Sequence, residues 1–110
     1  MTVYIDDMLA GYGRMKMCHM LADTDDELHE MADKIGVKRK WWQSPEKTSG
    51  SHYDICQSKK KLAVENGAVE ITVKQAGAMS VRRRITGSLG KPEEAIEWFF
   101  SYKKASNEQQ

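Results

Sequence analysis

Three short stretches gather the side chains that could do chemistry. "RMKMCHM" (14–20) packs three methionines, a cysteine and a histidine into seven positions, "IDD" (5–7) ends on two aspartates, and "HYD" (52–54) sets a histidine two residues from a carboxylate. Methionine and cysteine are soft metal ligands, thiolate is a nucleophile, and histidine is a general base or a ligand. Alternation along a strand puts Met15, Met17, His19 and Leu21 on one face and Arg14, Lys16, Cys18 and Met20 on the other. Met15, Met17 and His19 could together hold Cu(I). The competing reading is packing: methionine fills irregular cores, the chain has seven of them, and their expected place is the core. A strand histidine among methionines is commonly a core group as well. His19, however, falls near the end of its predicted strand.

The elements around these residues alternate. "TVYID" reads as a first strand, "LAGYG" as a loop and "RMKMCHML" as a second strand. The clearest helix is "ADTDDELHEMADKIG". Thr24 and Glu27 form a capping-box pattern, Asp25 and Asp26 suit the positive end of the helix dipole, and Gly36 is a stop. Leu28, Met31, Ala32 and Ile35 make its apolar stripe. "VKRKWWQ" is predicted as an edge-like third strand and "SPEKTSGS" as a polar loop. "HYDICQSKKKLAVENG" is predicted as a helix capped at Asp54 or Ser58, followed by the strand "AVEITV" and an ambiguous stretch read as a short helix and a loop. Pro92 opens a last helix over 92–104.

The expectation is one α/β domain over 1–105 with a frayed 106–110 tail. Its sheet would have about four strands, mostly parallel or mixed, with packed helices and an extra C-terminal helix. Ligands of such sheets bind at the carboxyl ends of the strands. Asp6, Asp7, His19 and the His52-Tyr53-Asp54 run fall near such ends or just after the third strand.

The ordered motifs "VYIDDM", "GRMKMCHMLADT", "ELHEMADKIGV", "RKWWQ", "HYDICQSKKKLAV" and "GAVEIT" resemble a family of small bacterial and phage proteins known as domain of unknown function 4031. The resemblance spans about 1–75 and leaves 76–105 as an extension. It implies a small intracellular α/β protein without an assigned activity. Matching motif positions here are Asp6, Gly13, Arg14, His19, Asp23, Thr24, Glu27, Leu28, His29, His52, Tyr53 and Asp54. Where the family commonly has serine before the first motif histidine, this chain has Cys18, a thiol in place of the hydroxyl.

These polar positions outnumber what a sheet-and-helix core requires, and point to a site at Asp6, Arg14, His19, His52 and Asp54. Two histidines and two carboxylates there could hold a divalent metal, Zn²⁺ or Mn²⁺, with His19, His52 and Asp54 as candidate ligands, and activate water. Alternatively a histidine oriented by a carboxylate acts as a general base, with Arg14 holding a phosphate or carboxylate. Tyr53 and Trp41 are further candidates for ligand contact. The His-x-Thr or His-x-Ser steps of paired-histidine phosphoesterases do not occur at His19 or His52. His29 and Asp33 read as an i, i+4 pair. The leading expectation is an accessory protein that binds or hydrolyses a phosphate-containing ligand. The alternative is a non-enzymatic module that meets nucleic acid or a host protein through a basic face.

That basic face is visible in the charge distribution. Residues 1–33 carry a net −6 and the remainder +7, although the whole chain is +1. "KRKWW", Lys59–Lys61 and Arg82–Arg84 supply cations and stacking surfaces. No helix-turn-helix, zinc-finger or RNA-recognition signature accompanies them. Cys18 and Cys56 lack a C-x-x-C pair and are expected as free thiols, Cys18 buried. An acidic N-terminus and no long apolar run point to the cytoplasm and away from membranes. On the last helix Ala95, Trp98, Phe99 and Tyr102 form the core stripe, leaving Ile96 and Phe100 for a homodimer interface.

Overall fold

A computed structural model describes residues 2–48 and 50–108. Five strands form one mixed sheet: β1 (Val3–Ile5), β2 (Ala10–Tyr12), β3 (Met15–Ala22), β4 (Tyr53–Cys56) and β5 (Val69–Glu70). Four helices pack on it: α1 (Asp25–Ile35), α2 (Gln57–Glu65), α3 (Val73–Thr86) and α4 (Pro92–Glu108). The long strand β3 organises the sheet. It pairs antiparallel with β2 at its start, with β1 at its end and with β4 along the other edge. The one parallel pair, β1 with β5, lies at the opposite margin.

The sheet is mixed, one of the two arrangements expected, and its antiparallel share arises because "LAGYG" is no simple loop. Ala10–Tyr12 form β2, and Gly13 at φ 61° turns the chain directly into β3 as a hairpin. Hairpins make antiparallel neighbours.

Each face of the sheet buries its own apolar layer. Cys18, Met20 and Ala22 of β3 join Val3, Ile5, Tyr53 and Ile55 under α1 and α2. On the other face Tyr4 and Leu21 pack with Ile71, Met79, Leu89 and Ala95 under α3 and α4. All four stripe residues of α1 are buried, and Thr24 caps it by accepting the Glu27 N–H. Cys18 is buried and both cysteines are free thiols. The methionines split: Met20, Met31 and Met79 are core, whereas Met15 is exposed and Met17 half-exposed, because neither α3 nor α4 covers the start of β3.

Three further expectations are corrected. "VKRKWWQ" is not a strand; it forms a single 3₁₀ turn at Arg39–Trp41, followed by an isolated bridge from Gln43 to His52. Asp54 caps nothing: His52-Tyr53-Asp54 is extended, β4 runs to Cys56, and α2 starts at Gln57. The "KQAGAMSVRRRIT" stretch lies within a full 14-residue helix, locked by a reciprocal capping box between Thr72 and Gln75. Residues 106–108 continue α4, while 109–110 of the expected frayed tail lie outside the described residues. Among the described residues no helix is long and apolar enough to cross a membrane.

Candidate metal centre

Antiparallel registry builds the site. β3 and β4 align His19 directly opposite Asp54, so both side chains leave the same face of the sheet. His52 lies two residues before Asp54, on that same face, where its backbone bridges Gln43 in both directions. Asp6 follows the last residue of β1, and its N–H bonds the His19 carbonyl. The site thus sits on the sheet face halfway along β3, beside the carboxyl ends of the parallel strands β1 and β5, which Asp6 and Val73 closely follow.

Asp6 is fully buried. One oxygen accepts the backbone N–H groups of His19 at 2.9 Å and Met8 at 3.2 Å, and the other meets His19 Nδ1 at 2.6 Å. Burial opposes its charge, but these hydrogen bonds and the imidazole outweigh it and hold the carboxyl below its ordinary range. His19 is pushed upward by the hydrogen bond to Asp6, against desolvation, with Asp6 and Asp54 adding electrostatic pull.

An ionised carboxylate can only accept, so His19 Nδ1 carries a proton and donates it to Asp6. His52 Nδ1 lies 2.6 Å from the Gly50 carbonyl, which likewise can only accept. In their neutral forms both rings would therefore present bare Nε2 lone pairs. Those atoms stand 3.7 Å (His19) and 3.5 Å (His52) from one Asp54 oxygen. One ligand atom from each of the three residues lies within 4.8 Å of the others. Three acceptors converge, and a cation or a proton must separate them. Metal-bound histidines characteristically donate their other N–H to a carboxylate or backbone carbonyl in this way.

A cleft of about 160 Å³ opens over the site between the sheet and α3. Its α3 wall is one stripe: Val73, Ala76, Gly77, Ser80 and Arg84. Small residues there keep the cleft open, and Arg84 stands exposed on its rim. Among the described residues no carboxylate pairs with Arg84. Its neighbours are engaged, Arg82 with Glu94 and over the Trp98 ring, Arg83 with Asp25 and the Ala22 carbonyl.

The remaining sequence candidates go elsewhere. Arg14 is exposed in the β2–β3 turn, five strand positions from His19, a separation of roughly 16 Å along an extended chain. Tyr53 faces the opposite apolar layer, where its hydroxyl meets His29 Nδ1 at 2.7 Å. His29 thus takes Tyr53 and not Asp33, which pairs with Arg39. Asp7 accepts the Val73 N–H at the start of α3. Trp41 is exposed and lines a second, larger cavity on the other side of Asp54. Arg84, expected only in the basic Arg82–Arg84 face, reaches the cleft because α3 is a full helix and not a short helix and a loop; the Thr72-x-x-Gln75 capping signature was the available signal.

A family model described as "Protein of unknown function (DUF4031)" matches residues 3–84, three quarters of the chain. The chain belongs to the DUF4031 family. The match runs past the 1–75 span to include almost all of α3, so Ser80 and Arg84 lie inside the DUF4031 region together with Asp6, His19, His52 and Asp54. No curated protein and no solved structure matches the chain.

Proposed function

We propose that this DUF4031 protein binds a divalent metal ion at His19, His52 and Asp54 and hydrolyses a phosphate ester in the cleft beside α3. The observation that carries the reading is that both Nδ1 atoms are held by acceptors, which leaves both Nε2 atoms directed at one Asp54 oxygen. Two imidazoles and a carboxylate suit Zn²⁺ or Mn²⁺, and three protein ligands leave a coordination position for substrate or water.

A divalent ion there would polarise a phosphoryl oxygen and ease deprotonation of a water molecule. The chain's own groups do the rest. Asp6 orients the His19 ring, and Asp54 is exposed enough to meet solvent at its second oxygen. Arg84 offers a fork of donors to non-bridging phosphate oxygens. In hydrolysis the water oxygen bonds phosphorus, the ester P–O bond breaks, and the departing oxygen takes a proton.

Thermal melts with Zn²⁺ and Mn²⁺ test the site. A ligand at 100 times its Kd adds about 2.7 kcal/mol to the folded state, which raises Tm by roughly 10 °C in a domain of this size. His52→Ala should lose that shift. Hydrolysis of a chromogenic phosphodiester should follow the same metal dependence. No shift with any divalent ion would overturn the proposal.

A further inference from the structure

A second cavity is larger than the one over the metal centre. It has about 560 Å³, within the range of small-molecule sites, and lies at the open start of β3 beside the 3₁₀ turn. Its composition is unusual for a surface left bare. Trp41 and Tyr12 line it while 57% and 68% exposed, with Met15 and Met17 beneath. Lys38, Lys40 and Lys59 ring it, and Lys40 Nζ stands 5.1 Å from the Trp41 ring centroid. α2 begins at this cavity and has no acid in its first turn, so its positive end adds to the lysines.

Asp54 lines this cavity and, through its other neighbours, the metal centre. The cleft over that centre shares Gly50, Ser80 and Arg84 with a third cleft of about 310 Å³, which Arg83 also lines. The first cavity thus meets the triad at Asp54, and the cleft beyond the triad adjoins the third, with lysines on one side of the triad and arginines on the other. A track with cations at both ends and π-faces in its widest part matches a phosphate chain whose bases are free to unstack. A duplex keeps its bases inside and would leave those aromatic faces unused.

We propose that this track binds single-stranded nucleic acid, a base seated on Trp41 and Tyr12, the backbone against Lys38, Lys40 and Lys59, and the strand continuing over Asp54 towards Arg84. The substrate of the metal centre is then a phosphodiester of that strand. This last step rests on the function proposed above, whereas binding of the strand needs no metal.

The test is fluorescence anisotropy with a labelled eight-nucleotide oligothymidylate, first in EDTA so that strand binding is read apart from metal chemistry. Binding should be measurable at 50 mM salt. Trp41→Ala should weaken it about tenfold, the scale of one lost base stack, while its Zn²⁺ affinity stays at the wild-type value. Because Trp41 contributes to the local fold, the lysines give an independent reading. The triple variant Lys38→Gln, Lys40→Gln, Lys59→Gln should reduce the slope of log K against log salt by about two, from three phosphate contacts at ~0.7 each. The mononucleotide should compete only at far higher concentration. Absence of oligonucleotide binding, equal affinity for a duplex, or a mononucleotide that competes as well as the strand would each overturn the proposal.

Discussion

Replacing Asp6 with asparagine changes one atom and should weaken the proposed metal centre, which Asp6 supports through His19 without ligating the ion. In the native site one carboxylate oxygen accepts two backbone N–H groups and the other accepts His19 Nδ1–H. Asparagine can keep the backbone bonds only by placing its carbonyl oxygen there, since the reverse orientation strands buried donors at a cost of about 1–3 kcal/mol. Its NH₂ then faces His19 Nδ1, which must become an acceptor. The ring proton moves to Nε2 and blocks the lone pair that faces Asp54. Loss of such a supporting partner typically weakens a metal site by about 10- to 100-fold, or roughly 1.4–2.7 kcal/mol. Calorimetric titration of Zn²⁺ into wild type and Asp6→Asn at one pH should show that ratio. Long-range ¹⁵N–¹H NMR should report Nδ1–H for His19 in the wild type and Nε2–H in the variant. A switched tautomer with unchanged Zn²⁺ affinity would refute the ligand role of His19, and an unswitched tautomer would refute the deduction from hydrogen bonding.

Two more outcomes are expected. The His19 pKa is raised above its ordinary 6.5, so its ion pair with Asp6 stabilises the metal-free fold fully below that value and the benefit fades as pH rises through the folded pKa. Asp6 is held below 3.8, so its contribution is present above that value and is lost as pH falls through its folded pKa. Tm in EDTA should therefore carry a contribution from the pair between about pH 4 and 6.5 that Asp6→Asn removes, whereas the Zn²⁺-induced shift should grow with pH because protonated His19 cannot ligate. On α4, Phe100 is 66% exposed and Ile96 36%, and we propose that they pair with a second copy of the chain. Light scattering should give twice 12.5 kDa, and Phe100→Glu should restore the single-chain mass without loss of helix content.

Local patterns in the sequence were enough to determine some of this protein. The α1 helix carries its cap, stripe and stop in thirteen consecutive residues, Thr24 to Gly36, and its buried positions are those the 3.6-residue period requires. His19, His52, Asp54 and Asp6 were recognisable as candidates because such polar groups are costly on a half-buried sheet face unless each has a partner. Tertiary structure decided which of them meet. A period of two assigns a strand residue to a face, but only the β3–β4 registry sets His19 against Asp54, and a one-residue slip would have parted them. The same registry turned Tyr53 away into the apolar layer. The β2 hairpin made the mixed sheet largely antiparallel through Gly13, a two-residue event with no periodic signature. Arg84 replaced Arg14 as the cation at the cleft because α3 folds back over the sheet, bringing residue 84 beside residues 6, 19 and 52. Sequence spacing carries the chemistry of each group, whereas convergence across dozens of residues is set by packing of the helices on both faces of the sheet.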